Sequence, residues 1–145
     1  MIRTENRLRI CNALIACLLI FIWGNSMMPA EISQAFSDWV KALLSGMLSG
    51  GSGSGRGSGL LRKIAHFTEF TALGMLLCWR AGMQNKKTYV PFLLGVAAAC
   101  IDECIQIFAP GRAPRVTDVL LDSCGVLTGV LLLSLGHTVF KKNNT

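Results

Sequence analysis

Residues 10–30 contain no Asp, Glu, Lys or Arg, and neither do residues 123–140. At 21 and 18 residues, these runs approach the ~20 that a helix needs to cross the hydrocarbon core of a bilayer. In lipid a lone segment can satisfy its own backbone hydrogen bonds only as a helix. The two runs therefore commit the chain to helices of membrane length. Two shorter uncharged runs, 70–79 and 88–101, reach about 20 residues if ionisable side chains are admitted at one end, as 60–79 and 88–109. The expected fold class is all-α: a four-helix transmembrane bundle with spans at 8–28, 60–80, 88–108 and 116–140, in a single domain over 1–145. Composition argues against two spans plus a small soluble lobe. Hydrophobic residues make up 52% of the chain and charged ones 15%, against about a quarter charged in an ordinary soluble domain.

The segments between the spans have characters of their own. Over 30–48, Ile32, Phe36, Trp39, Val40, Leu43, Leu44 and Met47 recur at helical spacing opposite Glu31, Ser33, Asp38 and Lys41. This pattern predicts a short amphipathic helix, lying on the outer membrane surface or capping the bundle. Residues 50–59, GGSGSGRGSG, have the composition of a flexible linker. In FAPGRAPR, residues 108–115, two prolines and a glycine predict a tight turn that holds Arg112 and Arg115. Pro91 is expected to start or kink the third span. Arg3, Arg7 and Arg9 before an apolar core would also suit a secretory signal, but no A-x-A-like site follows, so a retained helix is expected. Cys11, Cys17, Cys78, Cys100, Cys104 and Cys124 all fall in predicted helices. That distribution suits neither a disulfide framework nor clustered metal ligands, and Cys100 and Cys104 are expected to be small packing residues.

Four spans place both termini and the middle connection on one side, with Arg3, Arg7, Arg9, Arg80, Lys86, Lys87, Lys141 and Lys142. The other side carries Lys41, Arg56, Arg62, Lys63, Arg112 and Arg115. The bias toward the first side predicts a multi-pass protein of the cell membrane with both termini cytoplasmic. In that orientation Lys63, His66 and Glu69 enter with the second span from outside. Asp102, Glu103 and Gln106 leave with the third, and Asp118 and Asp122 open the fourth. Three separate stretches thus bring ionisable groups to one leaflet. Helical spacing places Lys63, His66 and Glu69 on one side of a helix and Asp102 one turn from Gln106. Asp118 and Asp122 share a stripe that Gly125 and Gly129 continue as a small-xxx-small face.

A charge inside a span costs about 2.5–3.5 kcal/mol even on insertion scales, so such a cluster is a functional-site hypothesis by default. Two chemistries fit. In the first, Lys63, Gln106, Arg112, Arg115 and Asp122 bind a membrane lipid or lipid-linked envelope ligand through its phosphate or carboxylates. In the second, His66, Glu69, Asp102, Glu103 and Asp118 form an acid/base cluster acting on a lipid head group. A proton relay is weaker, because the charges stop in the outer third. A structural alternative is a salt-bridged plug that locks the helices together. No metal or other cofactor is expected: carboxylates and a histidine could hold a divalent ion, but no H-x-x-x-H or H-E-x-x-H spacing is present. Nucleic acid is not expected as a partner, and oligomeric state is not legible.

The ordered motifs K-x-x-H-F-x-E-[FY], D-E-x-x-Q-x-F-x-P-G-R and D-x-x-x-D-x-x-G resemble the VanZ-like membrane proteins. The matching residues are Lys63, His66, Phe67, Glu69 and Phe70; then Asp102, Glu103, Gln106, Phe108, Pro110, Gly111 and Arg112; then Asp118, Asp122 and Gly125. The resemblance covers roughly residues 60–130, with a weaker echo in Ser26-x-x-Pro29. Asp122 stands where many members have asparagine, which leaves the need for its charge open. Phe70 occupies a usual tyrosine position and lacks the hydroxyl. The resemblance implies a polytopic bacterial membrane protein. The family's namesake accompanies glycopeptide-resistance genes and lowers susceptibility to teicoplanin, a lipid-tailed antibiotic.

Overall fold

A computed structural model of the chain describes residues 2–47 and 58–142. They form α1 (Ile2–Met27), α2 (Ala30–Met47), α3 (Ser58–Met83), α4 (Tyr89–Gln106) and α5 (Val116–Lys142), with no strand among the described residues. Residues 50–57 of the expected linker lie outside the described residues; Ser58 and Gly59 belong to α3. Pro91 sits in the first turn of α4, where its missing N–H leaves no helical bond unmade.

Three stretches are long and apolar enough to cross a membrane: Thr4–Met27, Tyr89–Gln106 and Val116–Gly136. The expected count was four. The remaining long helix, α3, has 26 residues and so spans ~39 Å, but Arg62, Lys63, His66 and Glu69 interrupt its first half. Those side chains make it less apolar than the three stretches above.

Packing follows the logic of a protein whose outside is itself apolar. Ile10, Ile20 and Phe21 on α1, Leu93 and Leu94 on α4, and Leu120, Leu131 and Leu135 on α5 all face outward. Between lipid-facing helices the hydrophobic effect favours neither side, so association rests on close contact, and small residues permit it. The core is accordingly compact: Ile22, Phe70, Leu73, Leu77, Ala98, Ala99, Val126 and Val130. The most extensive helix pairing is between α3 and α5. There Gly74 lies against the Val126 backbone, Gly129 against the backbone of Thr71, and Gly125 against the Phe67 carbonyl. Cys100 and Cys104 do not pack as expected. Both are exposed on α4, because Gly95, Ala98, Ala99, Asp102 and Gln106 occupy its buried face.

α2 is joined to the bundle at its first residue, whose backbone N–H donates to the Pro110 carbonyl at 3.1 Å. Ser37 is its buried residue among those described, while Ile32, Phe36, Trp39 and Leu43 form an exposed stripe. Phe36 and Trp39 stack with ring centroids 6.0 Å apart.

Candidate functional site

α1 ends, α3 begins, α4 ends and α5 begins at the same end of the bundle, and residues 107–115 close over that end. The closure depends on backbone chemistry. Gly111 adopts φ 74°, a left-handed conformation that a side chain would strain, and a Cβ there would also meet Ala30. The turn brings Arg112 back over the bundle, where its Nη2 donates to the Asn25 carbonyl at 3.1 Å.

Under the turn is a cavity of about 190 Å³, room for roughly six waters at bulk density. Arg62, Lys63 and His66 line it from α3, Glu103 and Gln106 from α4, Arg112 and Arg115 from the turn, and Asp118 and Asp122 from α5. A second cavity of about 260 Å³ lies between α1, α2 and α3. Phe21, Met28, Phe36, Val40 and Leu61 give it an apolar lining, and Glu69 joins Arg62, His66 and Arg112 on its polar side. The last three residues therefore form a shared wall between the two spaces.

Gln106 organises the polar end. Its Nε2 donates to Asp102 Oδ2 and to Glu103 Oε1, both at 3.1 Å. Its Oε1 accepts from Arg62 Nη2 at 3.2 Å. Ser26 Oγ reaches across from α1 to donate to the same Asp102 oxygen at 2.8 Å. Asp102 is fully buried and lies beneath the cavity rather than on its wall. Glu103 accepts a second bond, from the backbone N–H of Arg115 at 2.8 Å. Arg115 thus contributes its main chain to the network, while its side chain lines the opening.

Ion pairing among the described residues is sparse. Lys63 Nζ lies 3.7 Å from Asp118 Oδ1, with the lysine side chain 51% exposed; exposed pairs of this kind contribute about 1 kcal/mol or less. His66 Nδ1 lies 3.9 Å from Asp102 Oδ2, too far for a hydrogen bond. Several buried polar atoms have no partner among the described residues: His66 Nδ1, Glu69 Oε2, Asp102 Oδ1, Asp122 Oδ1, and Nε and Nη1 of Arg112. Burial lowers the Arg112 pKa from its ordinary value, Arg62 adding to the effect while Asp102 and Glu103 oppose it. The guanidinium nonetheless stays charged at any physiological pH. His66, Asp102 and Asp122, from three different helices, each bring a potential metal-ligating atom within 4.8 Å of the others.

The candidates named from the sequence thus separate by position. His66, Glu103, Asp118, Lys63, Gln106, Arg112, Arg115 and Asp122 surround the polar cavity, Asp102 is buried beneath it, and Glu69 opens into the apolar neighbour. Arg62, which the sequence grouped only with the other cations of that side, is tied into the network by Gln106. Ser26, a faint motif echo, holds Asp102. Asn25, whose backbone carbonyl accepts from Arg112 and which lines the second cavity with Glu69, was not anticipated; the polar break GNS at the end of an apolar run was its available signal.

Apolar helices surrounding a charged site at one end of a bundle define a membrane protein with an ionisable pocket. The chain belongs to the VanZ/LLP1 family, whose model matches residues 12–137. That span contains every site residue described above. Comparison with curated proteins and with solved structures finds no match.

Proposed function

We propose that the protein holds the anionic head group of a membrane lipid, or of a lipid-tailed envelope ligand such as a teicoplanin-type glycopeptide, in the polar cavity. The ligand's apolar part lies along the neighbouring groove. One observation carries this reading: Arg112 faces both cavities and keeps two buried guanidinium nitrogens without a partner. A phosphate or carboxylate supplies the charged acceptor oxygens that such a fork binds most strongly. Phe21, Met28, Phe36, Val40 and Leu61 beside it offer the apolar contact that an acyl chain needs.

In this reading α3 is a fourth span, its charged first half sheltered inside the bundle. The protein lies in a bacterial cell membrane with both termini cytoplasmic, so the pocket opens outward. α2 rests on the outer surface with Ile32, Phe36, Trp39 and Leu43 toward lipid. A salt-bridged plug would pair its charges. The sparse pairing and the unpartnered atoms of Glu69, Asp102, Asp122 and Arg112 favour a ligand instead.

A second reading, acid/base chemistry on the head group, draws on His66 in the wall that both cavities share. One experiment separates the readings. The full chain is purified in detergent, offered anionic and zwitterionic lipids, and analysed by mass spectrometry. Selective retention of the anionic lipid, reduced in Arg112→Ala, supports the binder; equal retention of both classes refutes it. A new product that disappears in His66→Ala and Asp102→Asn supports the enzyme. Teicoplanin enters as a competitor in the same assay.

A further inference from the structure

We infer that His66, Asp102 and Asp122 form a binding site for one divalent transition-metal ion at the base of the polar cavity. Each residue comes from a different helix, α3, α4 and α5, and each brings a ligating atom within 4.8 Å of the other two. All three are buried, Asp102 and Asp122 almost completely.

A cluster of acids alone would say little, but this one leaves unused ligands in place. Asp102 Oδ2 already accepts from Ser26 and Gln106, whereas Oδ1 is buried with no partner. These two donors fix the plane of the carboxylate, as residues behind a metal ligand do. Asp122 Oδ1 and His66 Nδ1 are likewise buried and unpartnered. Among the described residues, no lysine or arginine forms an ion pair with Asp102 or Asp122. Two buried carboxylates without a directly paired cation are unfavourable, and a dipositive ion between them and the imidazole offsets that cost.

The donor set narrows the ion. One nitrogen and two oxygens suit zinc(II), manganese(II) or iron(II) better than soft copper(I), which prefers sulfur, or calcium and magnesium, which prefer all-oxygen shells. Ligands of a tetrahedral zinc lie about 3.3 Å apart, so modest side-chain rotation closes the site. Asp122 and His66 also line the cavity, which leaves coordination positions facing its interior. The site does not depend on the lipid reading, because it can be measured with the metal alone.

The test uses the full chain in detergent, stripped with chelator, equilibrated with manganese(II) or zinc(II), desalted and analysed for metal. About one ion per chain is expected, with a melting temperature several degrees higher than in chelator. His66→Ala and Asp122→Ala should lose both effects, while Glu69→Gln, a half-buried acid outside the trio, should keep them. Wild-type protein without stoichiometric metal, or variants that bind as well as wild type, would overturn the assignment. Should the variants fail to fold, pulsed electron paramagnetic resonance of manganese(II) on the wild type decides. Imidazole nitrogen coupling is expected, and an oxygen-only shell would refute the site.

Discussion

Helices α3 and α5 meet in two neighbouring regions made of opposite materials. At the mouth, Lys63 and His66 face Asp118 and Asp122 across a cavity, with long contacts and unpartnered atoms. About one turn deeper, Gly125 lies against the Phe67 carbonyl, and Gly129 and Gly74 bring backbone onto backbone. The seam holds no charge and no space for a methyl group; the mouth holds much charge and open volume. The contrast teaches how each depends on the other. Long contacts and unpartnered polar atoms do little to hold helix ends together, and a seam that locks the same two helices nearby keeps those ends in register. The fold's tightness and the site's looseness are therefore parts of one arrangement.

The strongest attack on that comparison is at the seam. Gly129→Val drives a branched side chain into the backbone of Thr71 and Met75, and should cost about 3 kcal/mol or more, read as a large loss of thermal stability in detergent. A Gly129→Val protein as stable as wild type would break the distinction between the regions. Next comes Ser26→Ala, which removes the 2.8 Å bond to buried Asp102 and should cost about 1–3 kcal/mol in the same unfolding assay. An unchanged melting point would mean that the floor of the mouth does not need its α1 strut.

Smaller effects should sharpen the contrast rather than break it. Arg112→Ala gives up one bond to the Asn25 carbonyl but also removes two unpartnered buried nitrogens, so stability should barely move. Retention of anionic lipid should fall about tenfold, equivalent to ~1.4 kcal/mol. A fall in melting point with unchanged retention would assign Arg112 to the scaffold. Lys63→Ala, losing a 3.7 Å pair on a half-exposed lysine, should change stability by less than about 1 kcal/mol, a difference that added salt erases. Salt titration of wild type and variant checks it.

The helices, and the gathering of ionisable residues at one end, were legible in the chain because both follow from local rules. Runs without charge must become helices in lipid, and the order of motifs along alternating helices puts their polar ends together. Spacing also showed that Asp118, Asp122, Gly125 and Gly129 share a stripe. The exposure of Cys100 and Cys104 was not legible. A face is chosen by its neighbours, and Ala98 and Ala99 fit the α4 contact while Asp102 and Gln106 fill the polar end.

What the sequence determined by itself is a set of helices and the end at which their charges collect, since hydropathy and helical periodicity act over short distances. Only the tertiary structure decided which groups touch. It put Asp102 under the floor, turned Glu69 toward the apolar groove, made Gln106 the hub and grouped His66 with Asp122. Those outcomes depend on the rotation and depth of each helix against the others, and these are set by backbone-to-backbone fit between residues distant in the chain, which no local pattern encodes.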